Sequence, residues 1–165
     1  FAFGVGSTDM ANAWFSKDIR LKVPEVAKFT LRGRLADDVC AKDIVLHLLA
    51  GSFIKGGRSI GKVLQYDGEG LASLPMGERA TLTNMAVECG GFTGIVEPDE
   101  VTVEFLVRMR GLSPDEVRRR IVRADPDAQY AHSFEVDISA LRPMVALPGD
   151  PKNGVPIANA ADTMR

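Results

Sequence analysis

Two cysteines, two histidines and one tryptophan in 165 residues leave little material for several kinds of chemistry. Cys40 and Cys89 lie far apart and neither belongs to a C-x-x-C pair. No H-x-x-x-H pair or Cys/His cluster joins them, which argues against a self-contained zinc site or a disulfide scaffold. At most one disulfide could form, and the ordinary soluble-chain composition predicts reduced thiols in a cytoplasmic protein. No apolar run has the length of a membrane span and no signal-peptide pattern opens the chain. The formal net charge is −2, so no general attraction to nucleic acid or an anionic membrane is expected. Arg108, Arg110, Arg118, Arg119, Arg120 and Arg123 form the densest basic region. Asp115, Glu116, Asp125 and Asp127 surround it and no aromatic residues interleave it, the pattern of a solvated helix face rather than an RNA-binding surface.

The composition, 45% hydrophobic and 25% charged, is that of a globular chain long enough for one substantial core or two small lobes. Helices and strands interleave along it. A first helix, capped by Ser7, Thr8 or Asp9, runs to about Ser16, with Met10 and Trp14 at helical spacing. Alternation of Ala27, Phe29 and Leu31 with Lys28, Thr30 and Arg32 predicts a strand buried on one side. Ile44, Val45, Leu48 and Leu49 mark a helix over Ala41–Ala50 that stops at Gly51. Strands follow at 62–66 and 93–96, and Pro98 with its flanking acids opens another helix. Ser113 and Glu116 form a capping box for a helix reaching about Arg123. Phe134, Val136 and Ile138 alternate with acids in a last strand. Pro143, Pro148, Pro151 and Pro156 then mark an irregular segment, 140–165. The opening at Phe1, which reads as the middle of an element, and this tail without a closing element at Arg165 predict a part of a longer polypeptide.

The segment 80–91, ATLTNMAVECGG, is the most suggestive. Read as a helix over 78–89, it gathers Leu82, Met85, Ala86 and Cys89 on an apolar stripe and Thr81, Asn84 and Glu88 on the opposite face. An amide and a carboxylate one turn apart either meet a ligand together or face water. Cys89 belongs to the stripe, where a thiol packs as a small hydrophobe. Cys40 precedes a helix but has no base beside it. His47 sits among aliphatic residues as a packed or edge histidine, and His132 reads as exposed. Gly4 and Gly6 stop short of a dinucleotide fingerprint because Asp9 holds the third glycine's place, and they read as close-packing positions.

The blocks TNMAVECGGFTGIVEPDE, FAFGVGSTDMANAW, GRLADDVCAKDIVLHLLAG, IKGGRSIGKVLQYDGEG and DPDAQYAHSFEVDISALRPMVALPGDPKN extend over nearly the whole chain. In wording and order they resemble the large subunits of 3-isopropylmalate dehydratases, within the aconitase superfamily. The resemblance implies a layered α/β/α architecture with a mixed sheet, forming part of an iron-sulfur catalytic region. It implies an isomerisation by loss and return of water on a hydroxy di- or tricarboxylic acid. A [4Fe-4S] cluster would act there as Lewis acid, and a separate small or swivel subunit would complete the site. Glu88 would hydrogen-bond the hydroxyl or water on the iron and move its proton, while Asn84 would orient the cluster or its ligands. The family's cluster cysteines match neither Cys40 nor Cys89, and its Asp-Ser-His block, catalytic serine and substrate-binding arginines have no counterpart here. The chain alone is therefore expected to hold neither cluster nor activity. Homoaconitases, methylmalate-type dehydratases and aconitases share these blocks, and a non-catalytic structural or interaction domain retaining the fold is the alternative from another class.

Overall fold

Residues 26–32, VAKFTLR, alternate between partly buried and buried positions, and this strand, β1 (Val26–Arg32), lies inside a four-stranded sheet. The computed structural model describes residues 3–163. The readings placed on Phe1 and on the stop at Arg165 lie outside the described residues. The other strands of the sheet are β2 (Val63–Asp67), β3 (Thr93–Val96) and β4 (His132–Asp137). Their order is β3-β2-β1-β4 and every pairing is parallel.

Parallel neighbours need crossover connections, which helices supply. Between β1 and β2 run α2 (Ala41–Ala50) and α3 (Ser52–Lys55), following α1 (Ser7–Ser16) at the start of the chain. The helix α4 (Met76–Asn84) joins β2 to β3, and α5 (Glu100–Arg110) with α6 (Pro114–Arg120) joins β3 to β4. Crossovers that step in one direction, from β1 to β2 to β3, put α2 to α4 on one face of the sheet. There Ala27, Phe29, Leu31, Leu64 and Tyr66 meet Ile44, Leu49, Ile54 and Leu82 in one buried core. Each such aliphatic side chain contributes about 1.5–3 kcal/mol by leaving water. The return to β4, next to β1, passes the polar face. Tyr130 lies under the Lys28 ammonium, 4.6 Å from the ring centre, and its hydroxyl accepts from Gln65 Nε2 at 3.4 Å.

The fold class is the expected α/β, and the mixture of strand directions is divided between two sheets. The second is an antiparallel ribbon of β5 (Met144–Ala146) and β6 (Gly154–Pro156), followed by α7 (Ile157–Thr163). Strands thus continue beyond the one expected to be last, inside the tail expected to be irregular. Three-residue strands are too short to show an alternation. The ribbon is tied to α2, where Asp43 Oδ1 accepts from the Met144 N–H at 2.7 Å.

Other boundaries shift for local reasons. α6 stops at Arg120 because Ile121 is already extended, and only the Ser113 half of the capping box forms, accepting from the Glu116 N–H at 3.2 Å. α1 forms as expected but carries no side-chain cap and no buried residue, with Gly6 as its N-cap. Gly4 and Gly6 are not close-packing positions. Among the described residues a Cβ on Gly4 meets nothing within 4 Å, and one on Gly6 meets only Asp9 Oδ2, at 3.6 Å. Among the described residues no helix is long and apolar enough to cross a membrane.

Tyr66, stacked on Phe29 at 5.7 Å, is fully buried and its hydroxyl has no hydrogen-bond partner among the described residues. Burial pushes its ionisation far above the ordinary tyrosine range, and the neighbouring Cys89 adds to the shift. Leaving a buried hydroxyl unsatisfied costs about 1–3 kcal/mol. Tyr66→Phe is therefore expected to leave stability unchanged or raise it, by up to about 1 kcal/mol in urea unfolding. A loss of that size would show instead that the hydroxyl is bonded in solution.

Candidate functional site

The expected helix over 78–89 is two pieces. α4 ends at Asn84, and the Ala86 N–H reaches back only to the Thr83 carbonyl, at 3.2 Å, a tighter 3₁₀ turn. One further turn follows, with the Cys89 N–H on the Met85 carbonyl at 3.3 Å. Gly90 then takes the left-handed conformation, φ 72°. Its N–H bonds to the Val87 carbonyl and that of Gly91 to the Ala86 carbonyl, both at 2.8 Å, the paired bonds of a Schellman stop. The expected ending at Gly90 and Gly91 is thus present, while the helix is interrupted before it. Two contacts distant in sequence fix this turn. The buried Ser59 hydroxyl donates to the Cys89 carbonyl at 2.5 Å, and the Gly61 N–H donates to the Gly90 carbonyl at 2.9 Å.

Asn84 is consequently the last residue of α4, and Glu88 stands on the turn after it rather than on the same helix. The division of faces survives the break. Leu82, Met85, Ala86 and Cys89 are all buried, whereas Asn84 and Glu88 are exposed and open into the same cleft of about 1130 Å³. The cleft runs between the end of α4 and edge strand β3, with Thr83, Thr93 and Lys42 also on its walls. At one end the Phe3 ring stacks on Phe92, centroids 4.7 Å apart. Neither Asn84 nor Glu88 makes a hydrogen bond or ion pair with another described residue, so both side chains are available to a ligand.

The remaining candidates separate from this cleft. Cys89 is 1% exposed, and burial, with a smaller contribution from the Glu88 charge, pushes its thiol up to about 12. It is core, as its place on the stripe implied. Cys40 is exposed ahead of α2, its N–H donating to Asp43 Oδ2 at 2.8 Å. His47 lies on the exposed side of α2. His132 departs from its expected exposure. Pairing with Ala27 turns it to the core side of β4, edge-on to Phe53 with centroids 4.9 Å apart. The arginine-rich region is a paired surface, with Arg118 on Glu100 and Asp115, Arg120 on Glu116, and Arg123 on Glu97.

Among the described residues no three His, Cys, Asp or Glu side chains converge to hold a metal ion. A cluster needs several thiolates facing one cavity. Here one thiol is locked in the core and neither lines the cleft, so the donor set present does not fit an iron-sulfur cluster.

Sequence reasoning missed Lys42. Its position in the first turn of α2 was visible, but only tertiary packing brings that turn to the wall of a cleft built by α4 and β3.

The family model described as Aconitase family (aconitate hydratase) matches residues 1–165. The chain belongs to the aconitase family. Among its relatives, the 3-isopropylmalate dehydratase large subunit of Caldicellulosiruptor bescii is 43% identical over 153 residues, covering 93% of this chain and 34% of that protein. The 3-isopropylmalate dehydratase large subunit 1 of Pyrococcus furiosus is 40% identical over 161 residues, 98% of this chain and 36% of that protein. That of Aquifex aeolicus is 38% identical over 160 residues, 97% and 35% respectively. This aconitase-family chain thus spans about a third of the length of the curated relatives it matches. The parallel sheet and its helices are the α/β framework on which it carries the Asn84 and Glu88 cleft.

Proposed function

We propose that this chain is part of the catalytic region of a hydro-lyase, supplying Asn84 and Glu88 to a site that converts 2-isopropylmalate to 3-isopropylmalate in leucine biosynthesis. The observation that carries the proposal is the convergence of an uncommitted amide and an uncommitted carboxylate on one cleft. Dehydration passes a proton from the carbon beside a carboxylate to a base that would come from outside the described residues, and the neighbouring hydroxyl leaves as water once it is protonated. In this scheme the Glu88 carboxyl gives a proton to the departing hydroxyl, and its carboxylate takes one back from water in the return step. Asn84 can both donate and accept hydrogen bonds, which suits it to holding the hydroxyl in register. A proton relay of this kind contributes about 10²–10⁴-fold to such reactions.

The relatives are named as large subunits of 3-isopropylmalate dehydratases, which favours this substrate over those of homoaconitase, a methylmalate-type dehydratase or aconitase. They also suggest a small-subunit partner. Any [4Fe-4S] cluster would take its ligands from residues outside this chain, because the thiols present are unsuited to hold one.

The test is turnover in the complete enzyme, assembled anaerobically with its small subunit. Glu88→Gln is expected to lower kcat at least about tenfold, with the circular dichroism spectrum unchanged. Because Glu88 is exposed, that substitution has no packing to disturb. Turnover equal to the parent enzyme would remove Glu88 from the chemistry and favour a structural role for this segment.

A further inference from the structure

We infer that Lys42 is a carboxylate-binding residue of the cleft, holding the end of a small dicarboxylate remote from Asn84 and Glu88. The inference deepens the proposed hydro-lyase reading and rests on it. Of the described residues lining the cleft, Lys42 is the one base and Glu88 the one acid. Lys42 is exposed and makes no ion pair or hydrogen bond with another described residue, so its ammonium is not committed elsewhere in the fold. The two backbone donors that precede it are committed. The Ala41 N–H is taken by the Glu78 carboxylate at 2.5 Å and the Cys40 N–H by Asp43. An anion entering beside Lys42 finds those two donors taken and meets the side-chain ammonium.

The charge balance points the same way. A dicarboxylate brought toward Glu88 adds like charge to a carboxylate, which opposes binding unless a cation accompanies it. Lys42 supplies that cation from a different helix, so a ligand spanning the cleft places one carboxylate on the ammonium and its other end at Asn84 and Glu88. A lysine serves here as a mobile point charge with three donors, tolerant of the length of the ligand.

The experiment titrates succinate into the isotope-labelled chain and follows amide resonances of residues 80–95 and the Lys42 side chain. Saturable shifts at both ends of the cleft are expected. Lys42→Met should weaken binding at least about tenfold, the scale of a lost hydrogen bond to a charged group, while Lys42→Arg stays within about threefold. In the complete enzyme Lys42→Met should raise KM more than it lowers kcat, as loss of uniform binding does. Unaltered succinate affinity in Lys42→Met, or no saturable binding to the parent chain, overturns the assignment. Glu88→Gln separates the two readings. Parent-like turnover in that variant would remove the proton relay, while loss of succinate affinity in Lys42→Met would still establish the carboxylate subsite.

Discussion

Arg79→Met is expected to lower the unfolding free energy by about 3–5 kcal/mol, the largest loss of any single substitution considered for this chain. Arg79 is 2% exposed, and its guanidinium donors are spent in several directions. Nε bonds to the Leu74 carbonyl at 2.8 Å and one terminal nitrogen to the Leu71 carbonyl at 2.6 Å. The two terminal nitrogens grip both oxygens of Asp99 at 2.6 and 2.7 Å. Asp99 is itself the N-cap of α5, accepting from the Thr102 N–H. One side chain thus fastens α4, the 3₁₀ turn Glu69–Ser73 before it and the start of α5. Methionine keeps much of the apolar stem but strands the Leu74 carbonyl and a partly buried carboxylate, and leaves the Leu71 carbonyl with only the Leu74 N–H; that stranding supplies most of the loss. Urea denaturation of the parent and variant chains measures it.

The same pair predicts a pH dependence. Burial works to raise the Asp99 pKa. The hydrogen bonds and charge of Arg79, with the N–H groups of Thr102 and Val101, outweigh it and hold the carboxyl below its ordinary value. A carboxyl depressed in the folded state contributes stability that is present above the unfolded pKa, about 3.9, and is lost as pH falls through the folded value. The parent chain should lose this component below about pH 4, and Arg79→Met should lack it. A parallel acid dependence in the two chains would show that the Asp99 carboxyl is not held by Arg79.

Gly94→Ala should cost about 3 kcal/mol, at the upper end for overpacking. A Cβ at Gly94 lies 2.6 Å from Thr83 Cα and 3.0 Å from the Thr83 carbonyl oxygen, so it meets backbone and cannot be relieved by a rotamer change. α4 must move off β3. Because Thr83 precedes Asn84 at the end of α4, the movement widens the cleft and should weaken succinate binding along with stability. Gly77→Ala is the control within the same helix. Its Cβ meets nothing within 4 Å, and removing a helical glycine is expected to stabilise by up to about 1 kcal/mol. Equal effects at the two glycines would show that contact between α4 and β3 is not what requires Gly94.

What could be seen in the sequence follows the range of the forces involved. α2 stands at Ala41–Ala50 because its aliphatic spacing and the glycine after it are local signals. The one-sided burial of β1 and the buried stripe of Leu82, Met85, Ala86 and Cys89 were legible for the same reason. The break after Asn84 was not, because Ser59, Gly61 and the close approach of Gly94 to Thr83 shape that turn from other elements. Nor was Arg79, since MGERATLTN reads as a polar surface helix until Asp99 and two carbonyls are brought to it. At the site, Asn84 and Glu88 were legible as neighbours, but the loss of their shared helix and the arrival of Lys42 depend on packing between α2, α4 and β3.

Trp14, the single tryptophan of the chain, is 79% exposed on a helix that buries nothing. An indole already in water in the folded state changes its emission little when the sheet melts, so intrinsic fluorescence is a poor thermometer for this fold. The same placement makes it a good proximity gauge. A blue-shifted, less quenchable Trp14 would report that a surface has settled on α1 while the core beneath the sheet stayed as it was.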